Sequence, residues 1–221
     1  MERAAAISEA GIKGFAEAAK PGVPDFQVYA SLYNAMMMAG GEVPTMVLWG
    51  TGAGQVRDAF LPTRRPLERG DHLDNEIDGK YIGYVAQRVQ PAVLGEAPRE
   101  MLDAMDKQRT VFNAAVERMK PGTRFGEIAG VIDEVAQELG CKASLTMHGR
   151  GLGEDRPLLV GGDMSEEIAN FTLQEGNAFI VKPNVRPEGG RGITWGDTVA
   201  VTPTGGRRLG KDPHEVLVIP C

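Results

Sequence analysis

Apolar residues recur at helical spacing along the first forty positions. Ile7, Ala10, Gly11, Phe15 and Ala18 share one face of a helix predicted over Ala4–Ala19. Lys20-Pro21-Gly22 stops it, because proline disfavours the helical conformation in the residue before it and glycine ends the turn. Pro24–Ala39 repeats the pattern with Phe26, Tyr29, Leu32, Tyr33 and Met36, and Gly40-Gly41 closes it. Met36-Met37-Met38 reads as adaptable packing rather than a thioether metal site. A short apolar strand, Thr45–Trp49, then leads into a glycine-rich loop, Gly50–Gly54. No Gly-Lys-Ser/Thr closes that loop, so it is not a phosphate loop, although its backbone could approach a ligand closely.

Polar and apolar positions alternate with period two from Gly70 to Arg88, which reads as a β-hairpin with Asp78-Gly79 at the bend. On its outgoing strand Asp74, Glu76 and Asp78 share a face. Carboxylates placed there are either solvated or part of a site, because burial without partners is costly. Val89–Leu94 extends the strand character. Pro98–Met119 and Phe125–Leu139 are helices ended by Lys120-Pro121-Gly122 and by Gly140. Ala143–His148 is strand-like and runs into His148-Gly-Arg-Gly-Leu-Gly. Gly176–Val185, Gly192–Pro203 and Glu215–Ile219 complete the predicted strands.

The two halves echo each other. Lys20 recurs as Lys120 and Gly40 as Gly140, each 100 residues on, while Arg69–Glu76 parallels Glu175–Lys182 at an offset of 106. Two helices followed by a strand pair, taken twice, predict an α+β domain with helices on one face of a curved, mainly antiparallel sheet. One domain is expected over residues 1–221, with repeats of about 1–95 and 96–221. The alignment makes Glu76 and Lys182 equivalent, facing each other near a pseudo-dyad.

Composition narrows the function classes. A net charge of −6 gives no basic footprint for nucleic acid. The two cysteines, Cys141 and Cys221, make neither a disulfide framework nor a metal motif, so a cytoplasmic protein is the default. No apolar run is long enough to span a membrane.

These features together resemble the pita-bread family of methionine aminopeptidase, prolidase, aminopeptidase P and creatinase. The resemblance rests on the duplicated helix–Lys-Pro-Gly–helix units, the hairpin with Gly83-Tyr84, the His148-Gly-Arg-Gly-Leu-Gly segment and Gly196-Asp-Thr-Val-Ala-Val-Thr-Pro-Thr-Gly-Gly. It covers essentially the whole chain, which begins at the first helix of that fold, as the short methionine aminopeptidases roughly do. Peptidases of the family bind two metal ions through two aspartates, a histidine and two glutamates. The corresponding positions here are Glu76, Gln87, His148, Lys182 and Gly196. The family's catalytic histidine before the hairpin has no counterpart around Asp58-Ala59, and its second active-site histidine falls at Asp155.

The resemblance therefore implies a member that needs no metal and no other cofactor. Lys182 would supply the charge and form an ion pair with Glu76. A creatinase-like hydrolase, or a lyase, would act on a C–N bond of a small, polar, carboxylate-bearing substrate. His148 would be general acid/base, and Glu76 and Asp155 would orient it or activate water. Lys182, Gln87, Arg150, Asp58 and Asp197 would bind substrate. The alternatives are a binding module that has lost peptidase activity and a true metallo-aminopeptidase or dipeptidase. Relatives are often dimers, so a homodimer is expected. Some of these residues also have structural readings. His148 could be a hydrogen-bonding scaffold residue and Arg150 could pair with Glu154. His72 and His214 read as surface residues, Trp195 as sheet packing and Cys141 as buried and inert.

Overall fold

The structure, a computed structural model, describes residues 1–53, 61–161 and 164–221. Five helices are present among them: α1 (Glu2–Ala18), α2 (Asp25–Met38), α3 (Arg99–Arg118), α4 (Phe125–Glu138) and the short α5 (Glu166–Ala169). The strands of the first half are β1 (Val47–Ala53), β2 (Asp71–Tyr81), β3 (Tyr84–Val89) and β4 (Ala92–Leu94). Those of the second half are β5 (Cys141–Arg150), β6 (Glu154–Leu159), β7 (Ala178–Pro187), β8 (Ile193–Thr194), β9 (Gly196–Thr202), β10 (Gly205–Arg208) and β11 (Leu217–Ile219). They form one mainly antiparallel sheet in the order β11-β4-β2-β3-β9-β7-β5-β6, with β1 on β2, β8 on β7 and β10 on β9. Among the described residues no helix is long and apolar enough to cross a membrane.

The internal repeat is visible in the hydrogen bonds. Gly22 N–H donates to Leu67 C=O and Gly122 N–H to Leu173 C=O, each at the Lys-Pro-Gly turn of its half. Leu67 and Leu173 return the bond to Val23 and Thr123. Gly22 and Gly122 adopt φ of 86° and 91°, which explains why both turns carry glycine. The halves meet where β3 and β9 pair, Arg88 opposite Asp197 and Val89 opposite Gly196. The α+β class and the helix pairs are as the sequence predicts.

Period-two alternation divides every central strand between two faces. Leu73 and Ile77 on β2 join Phe15, Leu32, Met36 and Trp49 in a core beneath α1 and α2. Met147, Val181 and Val199 on β5, β7 and β9 join Phe112, Phe125 and Ile132 beneath α3 and α4. The residues between them, Glu76 and Asp78 on β2, Gln87 on β3, His148 and Arg150 on β5, Lys182 on β7 and Thr198 on β9, face the opposite side of the sheet, where the candidate site lies.

The hairpin turns elsewhere than predicted. Tyr81 pairs with Tyr84, so the bend is Ile82-Gly83, with φ of 47° and 76°. Both central residues are left-handed, as a type I′ turn requires. Asp78 and Gly79 lie inside β2, and Gly79 has a packing reason instead. A Cβ there would sit 2.0 Å from the Ala4 carbonyl oxygen and 2.6 Å from the Ser8 nitrogen, so glycine lets α1 lie directly on the strand. Gly50–Ala53 continues β1 opposite Asp71–Asp74 instead of forming a loop, and Gly54 lies outside the described residues.

Candidate functional site

Six polar side chains from four strands and the segment before β1 converge on the sheet face opposite the two apolar cores. Lys182 on β7 forms an ion pair with Glu76 on β2. Its Nζ also donates to Gln87 Oε1 on β3 at 3.0 Å. Gln87 Nε2 donates to Asp78 Oδ1 at 3.0 Å, and Thr45 Oγ1 donates to Asp78 Oδ2 at 2.6 Å. Arg150 on β5 approaches Asp78 Oδ1 at 3.3 Å. The Gln87 amide is held in register from the backbone side, where Thr198 Oγ1 accepts from Gln87 N–H at 2.8 Å. Two cations and two carboxylates thus neutralise each other in a buried network, which offsets the desolvation each would suffer alone.

His148 is 3% exposed and borders this network, and its Nδ1 has no hydrogen-bond partner among the described residues. Burial, followed by the charges of Arg150 and Lys182, pushes its pKa down to about 3. The imidazole is therefore neutral at physiological pH.

A cleft of about 830 Å³ opens beside the network between β2, the start of α3 and the Pro187–Thr194 segment. His72, Asp74 and Glu76 line its sheet side, and Glu100, Lys107 and Arg191 stand on its walls. Glu76 is the junction, because its side chain, 27% exposed, both lines the cleft and meets Lys182. Gln87, His148, Arg150 and Lys182 stand behind it and do not line the cleft. His72 is half-buried, and burial and then the Arg191 charge lower its pKa. It is a cleft residue rather than the surface residue its sequence context suggests.

The other expected site residues are distributed differently. Asp197 lies on the helix-facing side, where it accepts from Arg88 Nη1 at 3.1 Å and from Arg208 Nε at 2.9 Å. It is one residue out of phase with Gly196 and Thr198, so it cannot reach a ligand on the other face. Asp58 lies outside the described residues, as does the side chain of Asp155, whose backbone belongs to β6. The expected pairing of Arg150 with Glu154 falls on an undescribed side chain; the contact that is described goes to Asp78. His214 is buried, stacked on Trp195 with ring centroids 3.6 Å apart. Cys141 is only partly buried. Sequence reasoning misses Asp78 and Thr198 as site residues, although Asp78 shares the strand face of Glu76.

The protein matches the family model described as metallopeptidase family M24 over residues 1–203. The chain belongs to that family. It is 26% identical over 206 residues to a Mycobacterium tuberculosis protein named "Probable dipeptidase PepE", covering 90% of this chain and 53% of that protein. It is 26% identical over 172 residues to methionine aminopeptidase 1 of Saccharomyces cerevisiae, covering 76% of this chain and 44% of that one. Among solved structures, dipeptidase PepE from Mycobacterium ulcerans superposes with a TM-score of 0.84 at 23% identity, covering 100% of this chain and 59% of that chain. Methionine aminopeptidase from Rickettsia prowazekii gives 0.78 at 17% identity, with 95% of each chain covered. These likenesses establish the pita-bread fold. The chain spans about half the length of the curated relatives it matches.

The residues of this M24 domain do not suit a divalent ion. The group at their centre is an ammonium, which offers no lone pair, and it engages Glu76 and Gln87. A Cβ on Gly196 would lie 2.6 Å from Lys182 Cβ, so the fifth ligand position has no room for a glutamate stem. Among the described residues no three His, Cys, Asp or Glu side chains gather closely enough to hold a metal.

Proposed function

We propose that this chain is a metal-independent hydrolase that cleaves a C–N bond in a small, polar, carboxylate-bearing substrate. The observation that carries this reading is the position of Glu76, a cleft carboxylate backed by the Lys182 ammonium. The substrate carboxylate would meet Arg191 on the cleft wall. Water held by Glu76 would attack the carbonyl carbon while Glu76 takes the water proton. Lys182, paired with Glu76 from behind, would hold that carboxylate in place as the base. The C–N bond then breaks as Glu76 returns the proton to the leaving nitrogen. Proton transfer falls to Glu76 because the neutral His148 imidazole has a pKa near 3 and stands behind the cleft. His148 serves as a polar wall of the network.

One observation favours a second reading, that of a domain that binds and does not cleave. Glu76 lines the cleft, whereas Asp78, Gln87, His148, Arg150 and Lys182 are buried behind it. A panel of dipeptides and small N-acyl amino acids decides between them. With EDTA present, wild-type protein is expected to hydrolyse at least one of them, and Glu76→Gln to lose about a hundredfold or more of that rate. Saturable binding without turnover would instead establish the binding domain. Turnover that disappears with EDTA would refute metal independence.

A further inference from the structure

We infer that Lys182 is a tethered counter-ion that does in this sheet what bound metal charge would otherwise do, cross-linking β2, β3 and β7 across the pseudo-dyad. The inference rests on the metal-independent reading but concerns how the site is held together, not whether it turns over substrate.

Four observations carry it. Lys182 and Glu76 come from equivalent positions of the two half-repeats, 106 residues apart, yet they meet through side chains. The ammonium is largely buried, and its acceptors are the carboxylate of β2 and the amide oxygen of β3. The Gln87 amide is polar at both ends, so it passes the interaction on. Its oxygen accepts from Lys182 while its nitrogen donates to Asp78, which also faces Arg150. Finally, Gly196 leaves the space that the Lys182 stem needs, since any Cβ there would collide with Lys182 Cβ. Glycine at 196 thus lets β9 close on β7 beside the Lys182 stem.

A charge left in this largely buried pair without its partner is destabilising, most of all the 7% exposed ammonium, whereas an isosteric neutral pair is tolerated. Lys182→Met keeps the stem and removes the charge. It is expected to lower the melting temperature by about 5 °C or more, and Glu76→Gln by a similar amount. The Lys182→Met/Glu76→Gln double variant is expected to recover most of that loss. A purely steric role for Lys182 predicts no recovery, so additive losses in the double variant would overturn the inference.

Metal supplies the independent arm. Mn²⁺, Co²⁺ or Zn²⁺ is expected to leave the wild-type melting temperature unchanged and to bind below one equivalent after gel filtration. Lys182→Glu places a second carboxylate opposite Glu76 and beside His148. Its melting temperature is expected to fall in EDTA and to rise on adding Mn²⁺ or Co²⁺. Stoichiometric metal in the wild type would overturn both this inference and the hydrolase reading. Additive losses in the cycle, with EDTA-resistant turnover intact, would overturn the counter-ion alone.

Discussion

Acidification should destabilise this domain well above the range in which carboxylates titrate. Burial drives the pKa of His148 down to about 3 and that of His214 down to about 2. Each has a named cause. His148 borders Arg150 and Lys182. His214 stacks on Trp195 and lies edge-on to Phe112, with Arg208, Arg88 and Arg109 nearby. Gln108 uses its amide nitrogen on the Pro183 and Trp195 carbonyls, so its oxygen accepts from His214 Nε2 at 2.6 Å and fixes the neutral tautomer. In the unfolded chain a histidine takes up its proton near pH 6.5, whereas in the native state these two do not until far lower pH. The unfolded state therefore binds more protons between those limits, and stability falls as pH falls. By about pH 5 each histidine has cost roughly 2 kcal/mol, since about 1.4 kcal/mol is lost per pH unit. The pair together costs about 4 kcal/mol, or roughly 10 °C in melting temperature for a domain of this size.

Burial raises the pKa of Asp197, which acts in the opposite sense, so the difference between proteins is the cleaner readout. Urea unfolding should be measured at about pH 7.5 and pH 5 for wild type, His148→Asn, His214→Asn and the double variant. Each single variant should remove its own share of the pH-dependent loss and the double variant both shares, leaving the part due to His72, whose pKa burial also lowers. An equal slope in wild type and double variant would show that neither imidazole is held neutral by the fold.

Three further substitutions test the architecture. Gly79→Ala should cost about 3 kcal/mol or more in urea unfolding, because the new methyl meets α1 backbone rather than a movable side chain. Asp197→Asn should cost about 3–5 kcal/mol, because Arg88, 1% exposed, loses its buried charge partner. Ile82→Asn should stabilise by about 1 kcal/mol, because the residue is 69% exposed and holds a φ of 47°, which suits asparagine before glycine and strains a β-branched side chain.

Local rules reached much of this protein. The helix periods, the Lys-Pro-Gly stops and the offsets between halves specify two helix pairs and a duplicated sheet, because each depends only on spacing and on turn chemistry. The same offset set Glu76 against Lys182, and the fold brings them together as an ion pair. Spacing does not reveal which side of a strand is occupied and by what. Asp78-Gly79 has the composition of a turn, but the glycine is required by the close approach of α1, a contact made by residues some seventy positions earlier. Asp197 neighbours the last ligand position in sequence, and the pleat sends it to the opposite face. His214 carries no pattern that marks it as buried, because the stack of Trp195 and Phe112 that encloses it is assembled from distant segments. Sequence thus determined the elements and their symmetry, which are properties of neighbours along the chain. Tertiary structure alone decided which charges are sealed in a network and which carboxylate, Glu76, reaches the cleft, because solvation and partner choice are settled only when the strands are laid side by side.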